Sequence, residues 1–527
     1  MKRLEKPIWV KKKEKRKAFW LVLLCAVLLI PVFVGLSFAW KNYVSGANIE
    51  FNGTTILVKS GGDLQAALNR AKAGDTIILE AGAKYVGSFV LPEKAGSEFI
   101  TIQSSELARL PKEGVRVSPK DAAFMPKILS SGKGEPAVKT ALNAHHYRFV
   151  GIEFAPSNGD YIYNLVALGS DDQKENEVAH HIEIDRCYLH QISQGITRRG
   201  IALNSAETVI KNSWLSGFAG KEQETQAIAG WNGAGKFKII NNYLEAGAEN
   251  LLFGGADPSI KNLVPSDIEI RNNYMTKPLE WRGKVTIKCT FELKNARRVQ
   301  IIGNIIENTP DDNAIRFTVR NQDNTAPWST IEDVVMRDNI IRNSGGGIQF
   351  LGTDDLYKSA VMKRVQVINN LFVGLDGEKF GGDGRFILIS DGEDINVSNN
   401  TIFASGNAIT AHGVPTKRFT FGGNIFSFNK YGFSGDMGIG KPVFSTYFAD
   451  GTIAENVIIN GRQISMDDIY VPPRNFFADD FGSVGFINWQ GGNFRLNTNS
   501  KYKNKGANGK DLGADIDAIE TETRKAE

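Results

Sequence analysis

The stretch VVMRDNIIRNSGGGIQFLG (334–352), followed after a polar loop by KRVQVINNLF (363–372), decides the fold. Short runs of β-branched and aromatic residues alternate with polar ones and are broken by Gly, Asn or Asp. Three such runs fill each unit, which is too strand-rich and too short for the helix pairs of helical solenoids. The same signature recurs in IINNYL (239–244), IRNNYM (270–275), IGNIIE (302–307), RDNIIR (337–342), INNLF (368–372), SNNTIF (398–403) and GGNIFS (422–427). Its anchors, Asn242, Asn273, Asn304, Asn339, Asn370, Asn400 and Asn424, lie 31, 31, 35, 31, 30 and 24 residues apart. Recurrence at this interval predicts stacked coils, here an all-β, right-handed, single-stranded parallel β-helix. An amide at the same turn of every coil can donate to one neighbour and accept from the other. The row therefore predicts a buried ladder that leaves no polar group unpaired.

Weaker coils precede it. HHIEIDRCYL (180–189) and ETVIKNSWL (207–215) fit with Arg186 and Ser213 as anchors, and HHYRFVGIEF (145–154) with Gly151. Upstream, GGDLQAALNRAKAGDTIILEAGAKY (61–85) reads as an amphipathic helix, a turn at Ala73-Gly74-Asp75 and a strand. A helix over the open end of the first coil would block edge pairing. The run from Asp63 to Tyr85, with FITIQSS (99–105), resembles the opening segment of pectin-lyase-like right-handed β-helix proteins. KDLGADIDAIE (510–520) resembles their closing segment. The resemblance spans residues 53–520 and implies the fold without naming an activity.

Residues 2–17 carry nine Lys or Arg against two Glu, and an uncharged apolar run follows to Trp40. That run is long enough to cross a bilayer, and its basic flank argues for a cytoplasmic N-terminus. The expected organisation is a basic cytoplasmic tail (1–18), a transmembrane signal-anchor helix (19–40), a linker (41–52), the β-helix (53–520) and a C-terminal tail (521–527). Ser37-Phe38-Ala39 resembles a cleavage site, and cleavage there would secrete the solenoid instead. Either way the solenoid is exported, to the periplasm or the exterior. Without residues 1–40 the charge falls from +4 to −3, with 53 basic against 56 acidic residues. No domain-wide basic footprint remains for nucleic acid. Three cysteines, at 25, 187 and 289, make no disulfide framework. Oligomeric state is not encoded in any of these patterns.

Function on such a scaffold concentrates where loops break the minimal coil. Inserts fall at 274–290, 255–266 and 321–333, beside the strands NLLFGG (250–255), FELKN (291–295), FTVRN (317–321) and IQFLG (348–352). Alternation points Phe291 and Leu293 inward and Glu292 and Lys294 outward; likewise Phe317 and Val319 inward and Arg320 outward. Aligning Phe291 with Phe317 predicts Lys294 and Arg320 in one register on adjacent coils. Two stacked cations repel, and an anionic ligand would relieve that repulsion. Glu292, Glu249, Asn250 and Asn321 would line the site, and Trp281 and Trp328 supply rings for sugar stacking.

The pair resembles the Lys and Arg of polysaccharide lyase family six. That resemblance implies Lys294 as the base beside a uronate carboxylate and Arg320 as the acid or charge stabiliser in β-elimination on an acidic polysaccharide. Arg320-Asn321-Gln322 stands where that family has Arg-His-Gly. The Ca2+ it implies has no convincing ligand set, because Thr286-Ile287-Lys288-Cys289 occupies the upstream acidic positions. The alternative is a non-catalytic glycan-binding or surface-structural solenoid. Hydrolase patterns of clustered Asp are missing from these strands. His145-His146 and His180-His181 are expected to lack a shared metal-binding face.

Overall fold

The computed structural model describes residues 48–460 and 471–527. The expected basic tail and membrane span lie outside the described residues; among those described, no helix is long and apolar enough to cross a membrane.

The strands stack coil upon coil into a parallel β-helix. A 15-stranded sheet takes one strand from each coil, and a 25-stranded sheet takes the others. In the larger sheet, two strands of a coil merge into one bent strand at Ile305–Thr318 and again at Ile340–Leu351. Pairing between coils is parallel, as in Val334↔Val365 and Val365↔Ile395. Inward columns are apolar: Leu251, Phe291, Ile315, Ile348 and Ile387 follow one another in register and are fully buried. Cys187 and Cys289 are free thiols in the buried interior.

The amide ladder is present. Each Nδ2 donates to the next Oδ1, from Asn242 to Asn273 at 3.0 Å, then through Asn304, Asn339, Asn370 and Asn400 to Asn424 at 2.8–3.1 Å. It continues through Asn456 to Asn475. The Oδ1 also accepts a backbone N–H, as Asn242 N donates to Asn273 at 2.9 Å. The residue before each ladder Asn turns the chain through positive φ, 55° at Asn241 and 58° at Asp338, where Asn, Asp and Gly are tolerated. That geometry corrects two of the weaker anchors by one residue. Arg186 (φ 50°) and Gly151 (φ 68°) hold the turn position, so Cys187 and Ile152 are the true anchors. Ser213 does stand in the ladder, its N–H donating to Asn242 Oδ1 and its Oγ accepting from Cys187 N.

Both ends are closed. The helix Leu64–Arg70, capped by Asp63, buries Leu64, Ala67 and Leu68. An antiparallel hairpin of Ile49–Asn52 with Thr55–Val58 covers the first sheet edge. The closing segment does not make a last coil. Its helix Ile516–Thr523 runs into the expected tail and folds back along the solenoid, with Ile516 and Ile519 packed among Leu371 and Ile425. Arg116 holds the carbonyl of Ala526 at 3.0 Å.

The outward face of the 15-stranded sheet carries a second regular column. Glu207, Lys236, Asp267, Arg298, Asp333, Arg364, Asp394 and Arg418 all take positive φ at corresponding positions of successive strands. Their signs alternate, and they pair at 2.9 Å (Lys236–Glu207), 2.7 Å (Arg298–Asp267), 2.6 Å (Arg364–Asp333) and 2.6 Å (Arg418–Asp394). His146 and His181 head the same column, because His145 and His180 are register partners on successive coils. The two histidine pairs therefore share a face, contrary to the expectation from sequence.

Candidate functional site

On the 25-stranded sheet, one outward column reads Ala202, Ala229, Leu252, Glu292, Arg316, Gln349. Beside it runs Arg199, Gln226, Glu249. The first half is apolar: Ala202, Ala229 and Leu252 pack with Trp231, and the Arg199 guanidinium lies 4.5 Å over the Trp231 ring. The second half is charged. Glu249 and Glu292, both buried, place carboxylate oxygens within 4.8 Å of each other and of the Cys289 thiol. Gln226 Nε2 donates to Glu249 at 2.8 Å, Lys288 bridges Glu224 (2.5 Å) and Glu249 (3.7 Å), and Lys294 Nζ stands 3.7 Å from Glu292. Thr318 Oγ1 donates to the other Glu292 oxygen, and Arg316 Nη2 to Asp312 at 2.6 Å.

Burial, reinforced by the Glu292 charge, raises the Glu249 carboxyl above the usual carboxylate range, so that it tends to keep its proton. Several polar atoms on this face are buried without a hydrogen-bond partner: Gln226 Oε1, Glu249 Oε1, Glu292 Oε2, and the Nε of Arg198, Arg199 and Arg316. Buried polar atoms are ordinarily paired. Unpaired ones gathered on neighbouring coils mark a surface complementary to a polar ligand. Beneath it, Lys277 is wholly buried, its ammonium donating to the carbonyls of Ala246 (2.9 Å), Gly247 (3.1 Å) and Ala248 and to Asn250 Oδ1 (2.9 Å). Burial pushes that ammonium down to about 8. It braces the turn that carries Glu249.

Inserts wall the face, as expected. Asp257 accepts the N–H groups of Asp323 (3.0 Å) and Thr325 (2.9 Å), fastening the 255–266 loop to the 321–333 loop. Trp328 Nε1 donates to Leu263 O at 3.0 Å and joins the same loops rather than facing the groove. Trp281 sits half-buried on a short turn, Leu279–Trp281, of the third insert.

Of the expected residues, Lys294, Glu292 and Glu249 are brought together. The expected register is not kept: Phe291 pairs with Ile315, not Phe317, so Arg316 stands opposite Glu292. Arg320 does adjoin Lys294 on the next coil, its backbone N–H donating to Lys294 O at 3.1 Å, but its guanidinium is held by Asp354 and Asp355. Asn250 points into the coil, donating to the carbonyls of Leu244 and Thr276. Asn321 spends its amide on Lys358 O and Ala326 N within its loop. Sequence reasoning missed Gln226, Arg199, Arg316 and Lys277. For Arg316 the signal existed in the inward Ile315, equal in parity to Phe317.

No known family profile and no curated protein sequence matches the chain. Among solved structures it is similar to an alginate lyase from Paenibacillus sp. str. FPU-7, at 16% identity and a TM-score of 0.27, over 80% of this chain and 97% of that one. It is similar to the PL6 family alginate lyase AlyGC at 13% identity and a TM-score of 0.44, over 88% of this chain and 58% of that one. The chain thus spans little more than half of AlyGC. Pectate lyase Pel9A aligns at 12% identity and a TM-score of 0.32, over 86% and 90% of the two chains.

Proposed function

We propose that this protein is an exported β-helix that cleaves an acidic polysaccharide by β-elimination. The observation that carries the reading is the cluster of unpaired buried polar atoms between Arg199 and Arg316, with Lys288, Lys294 and Arg316 set among carboxyl groups. The cations suit a uronate carboxylate. In this scheme Arg316 takes the part expected of Arg320. It neutralises the substrate carboxylate, which acidifies the proton on the adjacent ring carbon. Lys294, in its free-amine form, takes that proton and becomes an ammonium, while the C–H electron pair forms a carbon–carbon double bond in the ring and the glycosidic C–O bond breaks. Glu249, whose carboxyl is raised by burial, serves as the acid that protonates the departing oxygen. The basic N-terminal tail and apolar run of residues 19–40 support anchoring at the membrane, with the solenoid on the far side.

A second reading, hydrolysis by a Glu249/Glu292 acid–base pair, is favoured by their mutual proximity and the raised Glu249 carboxyl. Mass spectrometry of products from alginate, pectate and chondroitin-type chains separates the two. Elimination gives one unsaturated end per cleavage, lighter by one water than the hydrolytic product. Saturated ends throughout would replace elimination with hydrolysis, and intact chains on all three substrates would overturn both.

A further inference from the structure

Four of the chain's six histidines meet at one point on the solenoid, on the 15-stranded sheet and not on the 25-stranded sheet that carries the charged site. His145 stacks on His180 with ring centroids 4.9 Å apart, and His146 on His181 at 4.4 Å. Within each pair the Nδ1 atoms face one another, at 2.8 Å for His145 and His146 and 2.7 Å for His180 and His181. Each contact holds one proton, because one nitrogen must donate and the other accept. The register that stacks the coils creates this array, since each His-His dipeptide starts a strand at the same position.

Glu207, next in the column, lies 2.6 Å from His181 Nε2. A carboxylate on one ring nitrogen fixes the proton there and leaves the other nitrogen with a free lone pair, the arrangement that typically supports a metal-binding imidazole. We propose that His146, His180 and His181 form a binding site for a divalent transition-metal ion of the zinc class, with Glu207 orienting His181. Ring nitrogens of the three already lie within 4.8 Å of one another. Two imidazoles on one zinc, with bonds of about 2.0–2.1 Å in tetrahedral geometry, stand roughly 3.3 Å apart. The 2.7 Å contact between His180 and His181 therefore opens by about half an ångström as the metal replaces the shared proton, which passes through solvent to His180 Nε2 so that the ring stays neutral. The cluster also opens on a shallow cleft of about 540 Å³ between His180, Glu207, Ile260 and Leu263, which gives an ion a route in.

The test is calorimetric titration of zinc chloride into the full chain, purified without a histidine tag, with cobalt(II) as a spectroscopic probe. The expected result is one ion per chain and visible cobalt bands of a four-coordinate site with three nitrogen ligands. His146→Gln, His180→Gln and His181→Gln should each weaken binding at least tenfold, while His412→Gln leaves it unchanged. Circular dichroism verifies that each variant is folded. Absence of saturable binding by the wild-type chain, or wild-type affinity in the three variants, would overturn the proposal.

Discussion

Two outward faces of one solenoid treat charge in opposite ways. On the 15-stranded sheet, Glu207 to Arg418 alternate in sign and pair coil by coil, each partly exposed and each satisfied. On the 25-stranded sheet, Glu249 and Glu292 crowd two acids into a buried site and leave oxygens without partners. Stability alone would select the first pattern everywhere, since like charges on neighbouring strands repel and unpaired buried polar atoms are costly. The groove departs from it only where inserts wall the sheet. That coincidence of strain with walls separates a working surface from a merely tolerated one.

The comparison breaks most visibly in activity. Lys294→Ala should lower turnover on the cleaved polyuronate by about 10²–10⁴-fold, the usual worth of a positioned base, with the melting temperature little changed. Turnover near that of the wild type would remove Lys294 from the mechanism.

The two faces should also respond oppositely to pH. The Glu249 carboxyl is raised from 4.5 by burial, so its contribution is present below that value and is lost as pH rises through its folded value. Asp267 and Asp333 are held below 3.8 by hydrogen bonds from Arg298 and Arg364, respectively. Their contribution is present above 3.8 and is lost as pH falls through the lower folded values. Urea unfolding across pH should therefore show Glu249→Gln flattening the decline on the alkaline side, and Asp333→Asn flattening the acid side. The reverse assignment would contradict the contrast.

Glu249→Met should raise stability by about 1 kcal/mol while abolishing activity, because a buried acid whose Oε1 lacks a hydrogen bond is replaced by an apolar chain of similar size. A loss of stability would mean that Glu249 is structurally satisfied. The smallest effect belongs to the ladder. Arg298→Ala should cost about 0.5 kcal/mol or less, as exposed ion pairs do, and the cost should shrink in high salt. Denaturant midpoints at two salt concentrations check it.

The scaffold was legible because a ladder Asn is needed once per coil and nothing else replaces it so well. Asn242 to Asn424 therefore mark the repeat directly. The one-residue slips at Arg186 and Gly151 arose where Cys187 and Ile152 break that signature. The site was only half legible. Alternation with period two fixes which face a side chain takes but permits slips of two residues, since face is preserved. Pairing Phe291 with Phe317 satisfied alternation, yet the bent strand Ile305–Thr318 brings Ile315 into that place. Arg199 and Gln226 lie on earlier coils, and the stacking of coils, which no local pattern reports, brings them beside Glu249. The histidines illustrate the same point: adjacent in sequence only as pairs, they become a foursome through register.

The most direct test is a crystal of the Lys294→Ala protein soaked with an oligouronide of the substrate it binds. The account predicts the ligand carboxylate on Arg316, a hydrogen bond from Glu249 Oε1 to the glycosidic oxygen, and one from the ligand to Gln226 Oε1. An oligouronide bound on another face, with those atoms still unpaired, would contradict it.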